Sequence, residues 1–146
     1  SELMANVKIE GFREFRAKLD NLPKKTTQVV GAIIQDEAMR WEGLIKRSAP
    51  RNKTIGLGGR LAGSITSRKT GELSAEVSAN VKYAPYVEWG TGSKVSVPAD
   101  LTKYAIQFKG SIQVAGQKPQ PYFFIHTPVI SKSVNDRVNK YLSTEQ

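Results

Sequence analysis

Hydrophobic residues in the first third of the chain recur every three or four positions, the spacing expected of helices with one buried face. They form two stripes: Phe12, Phe15, Leu19 and Leu22, followed by Val30, Ile34, Ala38, Trp41 and Ile45. The first stripe predicts a helix that ends at Pro23, because proline cannot continue a helix interior. The second predicts a longer helix from about Thr27 to Arg47. Thr26 or Thr27 would cap its start, and the Ala49-Pro50 step would end it.

A strict alternation of apolar and polar residues in the middle of the chain predicts a strand with one wet face. Its apolar members are Leu73, Ala75, Val77, Ala79 and Val81, and its polar members are Ser74, Glu76, Ser78 and Asn80. A weaker strand from Leu61 to Arg68 precedes it, and residues 69–72 read as the turn of an antiparallel hairpin. A second hairpin is expected from Tyr104 to Val114. Val7 and Ile9 form a further short alternating segment.

The last apolar stripe follows Thr127-Pro128, a favourable start for a helix, and predicts a terminal amphipathic helix. Its members are Ile130, Val134, Val138, Tyr141 and Leu142. The sum is an α+β fold with two N-terminal helices, an antiparallel sheet of about four strands built from hairpins, and a C-terminal helix packing on the sheet. We expect one domain over residues 4–146. Residues 1–3 are interpreted as a non-native addition before Met4.

The net positive charge of the chain indicates which classes of partner to expect. The chain carries 22 Lys and Arg against 13 Asp and Glu, a net charge of +9, which attracts polyanions. Residues 46–69 hold seven basic residues and no acidic one. From this stretch Arg51, Lys53 and Arg60 are predicted to contact either DNA or an acidic protein. Many basic domains bind no nucleic acid, so an ordinary solvated surface is the competing interpretation.

The sequence offers no support for catalysis or cofactor binding. There is no cysteine and one histidine, His126, so no Cys/His zinc site can form. The glycine loop at residues 56–63 has Ser64 where a phosphate-binding loop needs lysine. His126 is interpreted as making a structural hydrogen bond. We predict no catalytic, cofactor or metal site and no small-molecule substrate. No apolar run approaches the roughly 18 residues needed to span a bilayer, so no membrane partner is expected.

The segment YAPYVEWGTGS, residues 83–93, combines aromatic residues at spacing three with a glycine stop. We predict a rigid elbow that aims the segment from Ser93 to Asp100 away from the body. The elbow residues are Tyr83, Tyr86, Glu88, Trp89, Gly90 and Gly92. Glu88 should be exposed or paired with a basic group, because an unpaired buried carboxylate is costly. The predicted intersubunit residues are Ser93, Lys94, Val95, Val97 and Phe108.

Three blocks in this order resemble the tail-completion family of long-tailed bacteriophages, small neck, head–tail joining or minor tail proteins. The blocks are Ala49-Pro50 with residues 59–65, then Tyr83 to Gly92, and finally Gln117 to Phe123. The resemblance implies a non-enzymatic virion protein, assembled in the host cytoplasm. It implies a ring, hexameric by analogy with six-fold tail tubes, at the head-proximal end of the tail. Tail-tube, tail-terminator and head-connector proteins would be its neighbours, and genomic DNA would pass through it.

A nonspecific basic nucleic-acid-binding module is the alternative. Such a module would bind DNA as an isolated monomer with a steep dependence on salt, because phosphate contacts release counterions.

Overall fold

A computed structural model gives the chain a mixed fold of helices and sheet, and it describes residues 6–10, 23–51, 59–90, 94–105 and 118–144. The elements in chain order are β1 (Asn6–Glu10), α1 (Lys24–Ser48), α2 (Arg60–Gly63), β2 (Ile65–Gly71), β3 (Ser74–Ala79), α3 (Ala84–Trp89), α4 (Thr102–Ala105) and α5 (Thr127–Thr144). Two short 3₁₀ helices, Ala99–Leu101 and Phe124–His126, precede α4 and α5.

The described strands form a three-stranded antiparallel sheet in the order β1-β3-β2. About four strands were predicted, and three are present in the described residues. The predicted wet face of β3 is wrong, because Glu76 and Ser78 are both buried. β3 is the central strand, with β1 on one edge and β2 on the other. Arg68, opposite Glu76 in the register, donates to its carboxylate over 3.1 Å.

The predicted hairpin is confirmed, although its boundaries shift toward the C-terminus. β2 and β3 pair antiparallel, and the turn lies at residues 72–73 instead of 69–72. Leu61, expected to begin a strand, lies buried in the short helix α2 instead. The Ser64 hydroxyl donates to the Leu61 carbonyl at 2.7 Å, and β2 begins only at Ile65.

α1 is confirmed as a long helix, but it begins at Lys24, three residues before the predicted start. No side chain caps it. The Pro23 carbonyl instead accepts hydrogen bonds from the backbone N–H groups of Thr26 and Thr27. The predicted end is confirmed, since α1 stops at Ser48 and Ala49 is extended, as a residue before proline prefers.

The core lies on both sides of α1, which contacts β2 and β3 on one side and α5 on the other. α5 buries its predicted stripe, Ile130, Val134 and Val138, but its main contacts are with α1. The prediction that it packs on the sheet is therefore wrong. The reason is that α1 has apolar residues on two faces, and the sheet covers only one of them.

A buried carboxylate fixes how α5 lies against α1. Glu37 is 2% exposed and accepts hydrogen bonds from the Ser133 hydroxyl and from Arg137, the latter at 3.2 Å. Arg40 pairs with its other oxygen at 3.3 Å. Because a buried carboxylate without partners is costly, these contacts set the register of the two helices.

Two predicted elements fall partly or wholly beyond the described residues. The first N-terminal helix, at residues 12–22, lies outside them. The second hairpin was expected to begin at Tyr104, but Tyr104 belongs to α4, so no strand starts there. The remainder of that hairpin, residues 106–114, lies outside the described part. Among the described helices, none combines the length and apolarity that crossing a membrane requires.

Two glycines of α1 provide a matched test of how closely this helix approaches the sheet. A Cβ on Gly31 would collide with the backbone carbonyl oxygen of Glu72 in the β2–β3 turn. A Cβ on Gly43 would meet only the Arg47 guanidinium, at 3.5 Å. We expect Gly31→Ala to lower the free energy of unfolding by about 1–3 kcal/mol through overpacking. Gly43→Ala should raise it by up to about 1 kcal/mol through helix propensity. Urea denaturation measures both, and equal effects of the two substitutions would contradict the close packing.

Candidate functional site

The elbow segment forms a short helix that ends sharply. α3 has Pro85 in its first turn, where a missing N–H costs nothing. Its last residue is Trp89, and Gly90 forms the cap. The φ of Gly90 is 84°, in the left-handed region, and its N–H donates to the Tyr86 carbonyl over 2.9 Å. Trp89 is buried and Tyr86 is half-buried. Gly92 lies outside the described residues. A helix this short depends on tertiary contacts for its stability.

Those contacts centre on Glu88, which is 5% exposed. One carboxylate oxygen, Oε1, accepts from the backbone N–H groups of Tyr122 and Phe123, both at 2.9 Å. The other, Oε2, accepts from the N–H of Phe124 at 3.3 Å. The prediction that Glu88 is exposed or paired with a basic group is therefore wrong. Consecutive main-chain donors can hold an anion without a cation, and here they satisfy the carboxylate.

Two further hydrogen bonds join α3 to the segment that carries these donors. The N–H of Gln120 donates to the Val87 carbonyl at 2.8 Å, and the Tyr122 hydroxyl donates to the Ala84 carbonyl at 3.1 Å. Burial, followed by the nearby Glu88 charge, raises the pKa of the Tyr122 phenol far above its usual value. The phenol therefore stays protonated and keeps donating this hydrogen bond. Contacts at Ala84, Val87 and Glu88 join the two segments.

Aromatic packing ties the same segment to the rest of the fold. Trp89 stacks on Phe124 with ring centroids 5.8 Å apart, and Tyr104 lies against Phe124 at 5.2 Å. Phe123 meets Trp41 of α1 edge-on at 5.5 Å, and the Trp41 indole N–H donates to the Phe123 carbonyl at 3.3 Å. We call residues 83–90 and 120–124 together the Glu88 elbow. It contacts α4 through Tyr104 and α1 through Trp41.

The segment after the elbow turns back toward the body. Lys94 is exposed and Val95 is 51% exposed. The Ser96 N–H then donates to the Trp89 carbonyl over 2.9 Å, and Val97 packs partly against the core. The predicted projection therefore does not continue to Asp100. Among the other predicted intersubunit residues, Ser93 and Phe108 lie outside the described part.

Two of the predicted basic contacts lie in described residues: Arg51 follows the end of α1, and Arg60 begins α2. Arg51 and Arg60 are exposed, and Arg51 Nη1 lies 3.7 Å from where a Cβ on Gly59 would stand, next to Arg60. Lys53 lies outside the described residues. The predicted basic contacts did not include Arg47, which is exposed in the last turn of α1. Within the described residues, no carboxylate forms an ion pair with any of these three arginines.

The structural hydrogen bond predicted for His126 is confirmed. Its Nε2 lies 2.7 Å from the Ser48 hydroxyl at the end of α1. Burial, and then the positive charge of Arg47, lower the pKa of His126 below its ordinary value of 6.5. The described residues contain no group of three or more acidic, histidine or cysteine side chains placed to hold a metal ion.

Comparison with family models gives a match to a phage family. The model of the family described as "Bacteriophage HK97-gp10, putative tail-component" matches residues 13–90, more than half of the chain. This match defines the class, a bacteriophage tail component. The protein belongs to the HK97-gp10-like family, and the resemblance noted in the sequence is confirmed. Searches among curated proteins and among solved structures find no match.

The matched region contains one half of the Glu88 elbow. It includes Glu88 itself and the end of α3, whereas the donors of residues 122–124 lie beyond it. Sequence reasoning identified Glu88 and the later aromatic residues separately, but not the contact between them. The available signal was the pair Pro119 and Pro121, which keeps the chain extended and leaves the following N–H groups without helical partners.

Substitution of Glu88 tests whether its carboxylate holds the elbow. Glu88→Gln leaves one acceptor oxygen and turns an NH₂ group toward backbone donors. We expect the free energy of unfolding to fall by about 2–4 kcal/mol, because buried donors lose their partner. The control Glu72→Gln, at an exposed turn position, should change it by less than about 0.5 kcal/mol. Guanidinium denaturation measures both, and equally small effects would refute the role of Glu88.

The titration of His126 tests the electrostatics at the end of α1. Since it is the sole histidine, its NMR ring signals need no assignment. We expect a pKa below 6.5, so the fold favours the neutral ring. The associated stability is fully present above about pH 6.5 and is lost as the pH falls below it. Arg47→Gln should raise the pKa of His126, whereas Arg40→Gln, a control at an arginine paired with Glu37, should not. A wild-type midpoint at or above 6.5 would contradict this.

Proposed function

We propose that this tail component is a non-enzymatic structural protein whose copies form a ring at the head-proximal end of the tail. In this role it completes the tail and joins it to the head. Family membership supports a place in the tail. The observation that carries the structural role is the Glu88 elbow. Its buried carboxylate is committed to three main-chain donors, which suits a rigid scaffold rather than a reactive group.

The elbow offers a surface for contact between copies. Lys94 and Val95 are exposed directly beyond it, and the Ser96–Trp89 hydrogen bond fixes where this exposed stretch ends. A short exposed stretch on a rigid base presents the same shape in every copy. Contacts between unlike faces of identical copies close into a ring when the rotation permits. We propose Ser93, Lys94, Val95, Val97 and Phe108 for this contact and six copies for the ring.

The basic residues would then lie near DNA or beside an acidic neighbour. Arg51 and Arg60 are exposed at one end of α1 and have no ion-pair partner within the described ranges. We propose that Arg51, Lys53 and Arg60 face either the genome, as it passes through the ring, or an acidic surface on an adjoining tail or connector protein. The same exposed charges support the alternative, a nonspecific nucleic-acid-binding module.

Native mass spectrometry and electron microscopy of the purified protein, with and without tail tubes, test the ring. We expect closed rings or a ring of added density at one end of the tubes. Val95→Glu should weaken self-association by at least about tenfold, because a buried interface carboxylate without a partner is costly. Met39→Glu is the matched control, since Met39 is 59% exposed on α1 and Val95 is 51% exposed.

A protein that stays monomeric at high concentration and on tail tubes would contradict the ring. A DNA shift titration at two salt concentrations separates the alternative. Tight, steeply salt-dependent binding by the monomer would favour the nucleic-acid-binding module, whereas weak binding together with assembly favours the tail ring.

A further inference from the structure

The side chains of the described residues leave almost no negative charge exposed without a partner. Three carboxylates are buried and already bonded within the fold: Glu37, Glu76 and Glu88. Three more form ion pairs at the surface: Asp36, Glu42 and Asp136. Among the carboxylates whose side chains the structure describes, Glu72 and Asp100 are exposed without such a pair. The described part of the chain therefore offers few unpaired carboxylates to the exposed arginines.

The arginines along α1 are ion-paired near the middle of the helix and unpaired near its C-terminal end. The antiparallel contact with α5 brings Glu37 to Arg137 and, eleven residues further on, Ser48 to His126. Around Glu37 the arginines are paired. Near the C-terminal end of α1, Arg47, Arg51 and Arg60 are exposed and no carboxylate of the described residues pairs with them.

Exposed aliphatic side chains lie at the same end. Ile125 and Val129 are each 51% exposed. They are four residues apart where the 3₁₀ helix Phe124–His126 runs into α5, so they lie close together on one face. His126, next to Ile125, contacts Ser48 and lies within the field of Arg47. We call Arg47, Arg51, Arg60, Ile125 and Val129 together the basic–apolar end.

We propose that the basic–apolar end binds an acidic segment of another protein that also carries apolar side chains. Arginines around a small apolar centre are typical of protein interfaces. A phosphate backbone would satisfy the arginines but would leave Ile125 and Val129 without a favourable contact. A second copy carries the same net charge of +9, so its overall field repels the arginines. The proposal rests on the proposed function only in identifying the partner as a neighbouring tail or connector protein.

The test uses three labelled probes with the full chain, followed by fluorescence anisotropy. The first is a synthetic amphipathic peptide with glutamates on one face and leucines on the other. The second is the same peptide with every leucine replaced by serine, and the third is a short DNA duplex. We expect the leucine peptide to bind at least about tenfold more tightly than the serine peptide, because the apolar contacts form the centre of the interface. It should also bind more tightly than the duplex.

Substitutions then locate the binding surface. Ile125→Ser with Val129→Ser, and separately Arg47→Glu with Arg51→Glu, should each weaken binding of the leucine peptide at least about tenfold. Met39→Ser is the control for loss of an exposed apolar side chain. Lys82→Glu with Lys140→Glu is the control for reversed charge at exposed positions. Thermal unfolding verifies that each variant is folded, and the comparison of probes on the unsubstituted protein does not depend on any variant.

Three outcomes would overturn the proposal: equal binding of the leucine and serine peptides, tighter binding of the duplex, or no binding of either peptide. Failure of the ring is a separate result. Native mass spectrometry of the same variants should show unchanged self-association. Unsubstituted protein that forms no ring but binds the leucine peptide would refute the proposed function and leave this binding surface standing.

Discussion

A single carboxylate holds together parts of the chain that are more than thirty residues apart. Glu88 accepts hydrogen bonds from the N–H groups of residues 122–124, and this contact seats the aromatic side chains of the same residues. Phe123 then reaches Trp41 of α1, and Phe124 reaches Trp89 and Tyr104. Without the carboxylate, three buried donors would have no acceptor, a loss comparable to much of the stability of a small domain. The shape of the elbow therefore depends on this contact.

The second constraint is the position of α1 between the sheet and α5. One face of the helix approaches the β2–β3 turn so closely that Gly31 leaves no room for a Cβ. The other face meets α5 through Glu37 and its partners. The end of α1 near Ser48 carries the exposed arginines and meets His126. One helix thus fixes both the core and the charged end, and the described carboxylates are almost all used within the protein.

The sequence predicted the elements better than the contacts between them. Periodicity identified α1 and α5 because each buries a regular stripe, and the alternation identified the β2–β3 hairpin as extended chain. It failed at β3, where Glu76 is buried although the pattern suggested a wet face, because a single strand does not show that it will be central. It also failed to place α5, since the stripe Ile130, Val134 and Val138 shows that a face is buried but not what covers it. At Glu88, electrostatic reasoning identified a residue that needs a partner. The partner was missed because main-chain N–H groups are not visible in the pattern of side chains.

The donors to Glu88 are main-chain N–H groups, so this contact places little constraint on which side chains follow it. Every amino acid except proline supplies a main-chain N–H, so Glu88 recognises the path of residues 122–124 and not their identity. The buried side chains of these residues are constrained separately, by packing against Trp41, Trp89 and Tyr104. The backbone path and the core packing of this segment are thus set by different atoms, and substitutions that fill the same buried space would leave the carboxylate anchor intact.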